Sequence, residues 1–285
     1  MDEAKVISMT NPAQLRVLPT MSGQDLAELK LAAANLEGKS FAVILADKVG
    51  MPIEALMRFL PSRAQSSIGT AVDAALEQCL KVALAFLRSG SGSPLNRRSH
   101  TLATAVTGAL GGFFGLPGLL VELPVTTTVM LHSIAGIAAA QGEDLSQPEG
   151  SLACLEVLAL GPEGQRGEAL ESAYYATRAA MAQVTRDAAA YVAQKGLSKE
   201  GAPALISFLS RIAARFGLEV SEKAAAQMIP VAGAAGGLAL NVLFTKHFQR
   251  IAWGHFTVRR LERKYGEDLI RTQYEQVRPS GKKPR

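Results

Sequence analysis

A chain of 285 residues can bury a core without disulfide or metal staples, which sets it apart from the small stapled folds. Apolar residues make up 48%, aromatics 6% and charged residues 19%, a charge content below the roughly 25% of ordinary soluble domains, and this excludes a chain too polar to fold. The net charge of +5 is uneven: residues 246–285 carry eleven Lys or Arg against four Asp or Glu, a local +7 that leaves the first 245 at −2.

Residues 1–22 hold two prolines and no sustained period, and read as a poorly ordered N-terminal arm without the basic-then-apolar run of a cleaved signal. A first helix follows in "SGQDLAELKLAAANLEGKS", with Ser22 and Asp25 as cap and first-turn acid, Leu26, Leu29, Leu31 and Leu36 at helical spacing, and Gly38 at its end. "SFAVILADKVGMPIEALMRFLP" reads as two short helices, the second opened by Pro52 and closed by Pro61. In "SSIGTAVDAALEQCLKVALAFLRSG" the residues Ile68, Val72, Leu76, Cys79, Ala83 and Leu87 fall on one face of a longer helix. "SGSGSPLNRRS" is a linker; its Gly90-Ser91-Gly92 lacks the strand that a nucleophile elbow needs. A long Ala-rich helix ends at Gly196, Ser198 and Ser221 are placed as N-caps of further helices, and "EDLIRTQYEQV" is the last before a basic tail at 278–285. No stretch alternates over strand length, so the expected fold is all-α: one multi-helix bundle over residues 23–277.

Two windows, Thr101 to Val121 and Ala224 to Thr245, are 21 and 22 residues long without a formal charge, about the length of a membrane span. Their many glycines and prolines weaken them as inserting helices. Gly108-x-x-Gly111 and Gly233-x-x-Gly236 instead suit close approach of helix backbones, so Gly-rich, close-packed central helices are expected, with interfacial or spanning insertion as the alternatives. Pro117 and Pro124 bracket Glu122, which predicts a break or kink there.

No metal site is expected, because the four histidines lack ligand spacing, and the nearest pair, His247 and His255, is eight residues apart. The run "GALGGFFGLPG" lacks the Lys-Ser/Thr of a phosphate loop, and no cofactor is expected. Cys79 and Cys154 lie in apolar helical patterns and read as buried thiols of a reducing compartment. The candidate polar cluster is Glu122, Thr126, Thr127, Thr128, Asn241, His255 and Arg259. A carboxylate between apolar helices needs a partner, and Arg259 or Arg260 can supply it, either as a lock between helices or as a polar anchor at the end of an apolar pocket. Lys246, Arg250, Arg260, Arg263, Lys264, Lys282, Lys283 and Arg285, with Phe248, Trp253 and Phe256 among them, form a candidate membrane-surface region, the alternative being a solvated helix face. These basic residues join no reading motif, so nucleic acid is not an expected partner.

Two stretches, "GALGGFFGLPGLLVELPVTTTVMLHSIAGIAAAQGEDLSQPEGSLACLEVLALG" and "IPVAGAAGGLALNVLFTKHFQRIAWGHFTVRRLERKYGEDLIRTQY", resemble the central and C-terminal signatures of the EcsC family. The resemblance covers most of residues 60–275. It implies a role beside an ABC transporter, because the family takes its name from a bacterial protein encoded next to transporter subunits, and it implies no defined biochemical activity. The expectation is therefore a non-enzymatic, membrane-proximal helical protein that binds an acyl or lipid-like ligand, the membrane surface or a membrane protein. Its expected location is the cytoplasm or the inner face of the cytoplasmic membrane. The competing expectation is a hydrolase acting on lipid or peptide, with Glu122 and His255 as acid and base.

Overall fold

The computed structural model describes residues 21–62, 64–89, 118, 121–162, 172–195, 202–228 and 233–279. Every regular element among them is helical. Helix α1 (Gly23–Leu36) starts where the Ser22 hydroxyl accepts from the Asp25 N–H, satisfying one of the amides that a helix start leaves open. Helix α2 (Phe41–Val49) is capped by Ser40 and stops at Gly50, whose φ of +74° is the left-handed conformation that glycine adopts without penalty. Pro52 then caps α3 (Ile53–Met57), and α4 (Ala64–Ser89) buries the predicted stripe of Ile68, Val72, Leu76, Cys79 and Ala83.

Helix α5 (Val121–Ala140) is continuous through Pro124. The expected break is absent at that residue: the helix passes through Pro124, whose missing amide removes only one ladder bond. Helix α6 (Pro148–Glu156) passes into a single 3₁₀ turn, Val157–Ala159, and α7 (Ala173–Lys195) follows. Helix α8 (Pro203–Gln227) runs unbroken through Gly217 and Ser221. Ser221 is therefore not an N-cap; its hydroxyl donates to the Gly217 carbonyl at 2.8 Å in mid-helix. Helix α9 (Gly233–Tyr265) and α10 (Glu267–Val277) meet at Gly266, φ +93°. Ser198, the 90–117 segment with its linker and glycines, and the tail from residue 280 lie outside the described residues.

Helix α9 is the central mast. Contacts at Tyr265 with Ser22, Arg260 with Glu28, and Gly254 with Leu36 run α1 antiparallel to it. Ring contacts of Phe216 with Phe248 and of Lys223 with Phe244 run α8 antiparallel on another side. Helix α5 lies parallel to α9: Asn241 hydrogen-bonds Glu122, Gln249 donates to Ser133 at 2.7 Å, and Arg259 to Glu143 at 2.9 Å. Phe244, Phe248, Ile251, Ala252, Phe256, Val258 and Leu261 are all buried. The aromatic residues Phe248 and Phe256 of the basic stretch therefore belong to the core, and only Trp253 is partly exposed.

A close helix–helix approach at a glycine occurs at Gly254, which no spacing motif marked; Gly108 and Gly111 lie outside the described residues. A Cβ on Gly254 would lie 2.8 Å from Leu36 Cγ and 3.1 Å from the Ala32 carbonyl, so glycine here lets α9 settle onto α1. The Ala224 to Thr245 window is not one helix, since α8 ends at Gln227 and α9 begins at Gly233. Among the described residues, α5 is long and apolar enough to cross a membrane by length and composition alone, and 56% of its most apolar window is buried inside the protein.

Candidate functional site

The expected polar cluster separates into two sites at different levels of α9. At the upper level, Glu122 in the first turn of α5 is met by Lys223 of α8 at 2.8 Å, with side-chain exposures of 3% and 0%. Thr126, one turn on, donates to the same carboxylate at 3.1 Å, and Asn241 of α9 and Gln227 of α8 add hydrogen bonds. Burial pushes the Glu122 carboxyl up, but the charge and hydrogen bond of Lys223, with Asn241 and Thr126, outweigh it and hold the group below its ordinary value. Burial lowers the Lys223 ammonium, and Glu122 offsets this only in part. The ammonium also lies 5.1 Å from the centroid of the Phe244 ring. This is a lock of three helices, and its cation is Lys223 rather than Arg259 or Arg260.

Thr127 takes no part in the lock: its hydroxyl donates to the Leu123 carbonyl at 2.7 Å. Thr128 faces Cys79 of α4, whose thiol burial pushes up to about 12. Six residues further along α9 from Asn241, His247 is buried against Phe41 and Phe248, and its Nε2 stands 3.3 Å from Glu219 Oε2 without hydrogen-bond alignment. Glu222, beside Glu219 on α8, is raised to about 7 by burial and by the Glu219 charge.

The lower site surrounds His255. Its Nδ1 shares a 3.0 Å hydrogen bond with the Tyr174 hydroxyl, and its Nε2 has no partner among the described residues. Burial, with the charges of Arg259 and Arg178, drives the imidazole well below its ordinary pKa, so it is neutral. Arg178 makes a forked pair with Glu262 at 2.6 and 2.8 Å, and the Tyr175 hydroxyl donates to the same carboxylate. Arg259 makes a second fork with Glu143, 2.9 Å on each arm, and Arg263 joins that carboxylate. Burial raises the Glu156 carboxyl, which accepts from Thr185 at 3.3 Å.

Glu122 and His255 are not an acid–base pair. Asn241 touches Glu122, and His255 lies fourteen residues further along the same straight helix, about 21 Å at 1.5 Å per residue. Arg259 lies further still. At that separation no position lies next to both for a reacting atom.

The basic residues proposed for a membrane surface also divide. Arg260 is taken by Glu28, Asp25 and Gln141, Arg263 by Glu143 and the Gln141 carbonyl, and Lys264 by Asp25 at 2.7 Å. They staple α1 and the turn after α5 to the end of α9. Lys246 and Arg250 are exposed and have no ion pair or hydrogen bond among the described residues. Lys282, Lys283 and Arg285 lie outside those residues. Among the described residues no group of three or more His, Cys, Asp or Glu side chains is arranged to hold a metal ion.

Sequence reasoning missed Lys223, Glu143, Glu262 and Tyr174. For Lys223 a signal existed: Phe208, Ile212, Phe216 and Val220 form an apolar helical stripe, and Lys223 continues it. For Glu143, in the turn after α5, there was none.

The model of the EcsC protein family matches residues 24–261, most of the chain and both sites except Glu262 and Arg263 at the end of α9. No curated protein and no solved structure matches the chain.

Proposed function

We propose, for a chain that belongs to the EcsC protein family, a non-enzymatic role at a membrane in which one apolar end of the bundle engages acyl chains. The observation that carries this reading is the position of the lock. Glu122 stands directly after one uncharged window, and Lys223 stands directly before the other. The ion pair therefore joins the described start of α5 to the last turns of α8, the points from which the two windows run in sequence. Exposed apolar side chains stand there: Val121 is 74% exposed, Val125 45% and Leu238 38%. Leu238 is three residues before Asn241, so it lies within one helical turn of the lock. Clustered exposed apolar groups of this kind mark an interaction surface. The charges of the lock, being buried in protein and paired, are compatible with an apolar environment outside it.

The expected partner is the bilayer itself, or a membrane protein within it. An end that enters a leaflet also places the chain beside the membrane subunits of a transporter, the partner that the family resemblance implies. A hydrolase reading has no comparable support, since its acid and base are held apart.

The test is flotation of detergent-free protein with neutral phosphatidylcholine vesicles at high salt, where only apolar insertion survives screening. The wild type is expected to float, and a Val121→Asp, Val125→Asp, Leu238→Asp variant with unchanged circular dichroism is expected to stay at the bottom. A wild type that stays at the bottom, or a triple variant that floats equally well, removes the reading.

A further inference from the structure

The two helices that lead away from the apolar end change character at the same level. On α5 the outward residues are Val121, Val125 and Val129, and the first polar ring among them is His132. On α9 they are Leu238, Val242 and Leu243, and the first charges are Lys246 and then Arg250. The helices are parallel, with Glu122 level with Asn241 and Ser133 level with Gln249. His132 therefore stands at the height of the Lys246–Arg250 turn. Apart from the partly exposed Thr128, whose hydroxyl is buried, both helices present apolar side chains outward over the same stretch, and the charges of α9 begin at the level of His132.

The depth of that stretch matches half a bilayer. From Val121 to His132 on α5 is eleven residues, about 16 Å at 1.5 Å per residue. The hydrocarbon of one leaflet is about 15 Å, half of the roughly 30 Å core, so the polar turn falls at the headgroups. Beyond the plane, Trp253 completes the stripe seven residues after Lys246 and three after Arg250, partly exposed, in the position of an interfacial aromatic.

Charge pairing singles out the same two residues. Arg259, Arg260, Arg263 and Lys264, further along α9, are all engaged by carboxylates of this chain. Lys246 and Arg250, four residues apart on one face, have no acid opposite them among the described residues. The nearest titratable outward group on α5, His132, adds no negative charge. A pair of cations with no partner among the described residues, bordering an apolar stripe, calls for anions at the border of an apolar phase.

We infer that Lys246 and Arg250 bind the headgroups of anionic phospholipids and set the depth to which the α5–α9 end enters a single leaflet. This rests on the membrane reading above and adds the lipid class and the stopping plane. Each basic residue near an anionic surface strengthens binding by roughly fivefold, about 1 kcal/mol, so the pair accounts for roughly 30-fold tighter partitioning onto anionic than onto neutral vesicles.

The experiment compares wild type with Lys246→Gln, Arg250→Gln on vesicles of phosphatidylcholine alone and with 30% phosphatidylglycerol, reading partition coefficients at low salt. Both positions are exposed and have no ion pair or hydrogen bond among the described residues, so an unchanged fold is expected, which thermal unfolding checks. The chain has one tryptophan, so quenching of Trp253 by lipids brominated at shallow or deep acyl positions reports depth without a label. The expected result is an anionic preference that disappears in the double variant while neutral-vesicle binding persists, with Trp253 quenched by shallow and not by deep bromines. A double variant that keeps the full anionic preference, or deep quenching of Trp253, overturns the inference and leaves the apolar end standing as the membrane contact. Absence of binding to either vesicle by the wild type overturns both.

Discussion

Replacement of Lys223 by Met removes the cation of the lock while keeping most of its volume. At 2.8 Å the pair attracts by about 6 kcal/mol for an effective dielectric of 20. Burying each ion costs several kcal/mol, so the intact pair contributes little net stability. The variant loses the attraction and keeps one buried charge. Glu122 retains its hydrogen bonds from Thr126, Asn241 and Gln227, which soften the loss without neutralising the carboxylate. The expected cost at pH 7 is about 3–5 kcal/mol, a large share of the 5–15 kcal/mol that holds a domain together.

The pH dependence gives this prediction a sign. In the wild type Glu122 titrates below its ordinary value, so the stability it contributes is present above pH 4.5 and is lost as pH falls through its folded pKa. In Lys223→Met the burial effect, which raises the group, is no longer opposed by a cation. The variant's penalty then grows as pH rises from 4 to 7, where the carboxyl must ionise while buried. Urea unfolding at pH 4.5 and pH 7 measures both values, and the Glu122→Gln, Lys223→Met double variant closes the cycle. Removing both charges is expected to restore stability to within about 1 kcal/mol of wild type. A cost below about 1 kcal/mol at pH 7, a pH-independent cost, or a double variant as unstable as the sum of the singles refutes the lock.

Glu222, raised to about 7 by burial and Glu219, acts in the opposite sense. The folded state holds its proton more tightly than the unfolded chain does, so stability falls as pH rises from about 4.5 to about 7; Glu222→Gln is expected to gain about 1–2 kcal/mol at pH 8, after discounting for its partial exposure, and nothing at pH 4. The two helical glycines Gly254 and Gly136 should respond with opposite signs. Gly254→Ala drives a methyl into Leu36 and the Ala32 carbonyl and is expected to cost about 1–2 kcal/mol, whereas Gly136→Ala has open space and is expected to gain up to about 1 kcal/mol, both read by urea unfolding. Cys79 and Cys154 are buried with thiols pushed far above neutrality, so a thiol reagent is expected to label neither in native protein and both in urea.

What the sequence made legible was local. Ser22, Gly50 and Pro52 act at the positions they occupy, and the α4 stripe of Ile68, Val72, Leu76 and Cys79 is buried as its spacing requires. Where local rules erred, a longer helix had absorbed a punctuating residue: α8 runs through Gly217 and Ser221 because Phe216 and Val220 on one face pack into the core. The candidate site failed at a different length. Glu122 was recognisable as a carboxylate in need of a partner, but its partner is 101 residues away, and Glu28 and Arg260 meet across 232. In one dimension Lys223 is a charge four residues from Glu219, the pattern of a solvent-facing pair, and only the apolar stripe before it points inward.

The same long-range pairing turns an undifferentiated basic region into a selective one. Before folding, Lys246, Arg250, Arg259, Arg260, Arg263 and Lys264 are six similar cations; folding assigns Glu143, Asp25 and Glu28 to the last four. The two left over lie next to the stripe that ends at Leu243, on the face that turns from apolar to charged at the height of His132. Net charge therefore overstates the cationic surface of this end of the chain. A membrane contact built on it depends on apolar insertion with two headgroup contacts, and its affinity should respond far more to Val121, Val125 and Leu238 than to ionic strength.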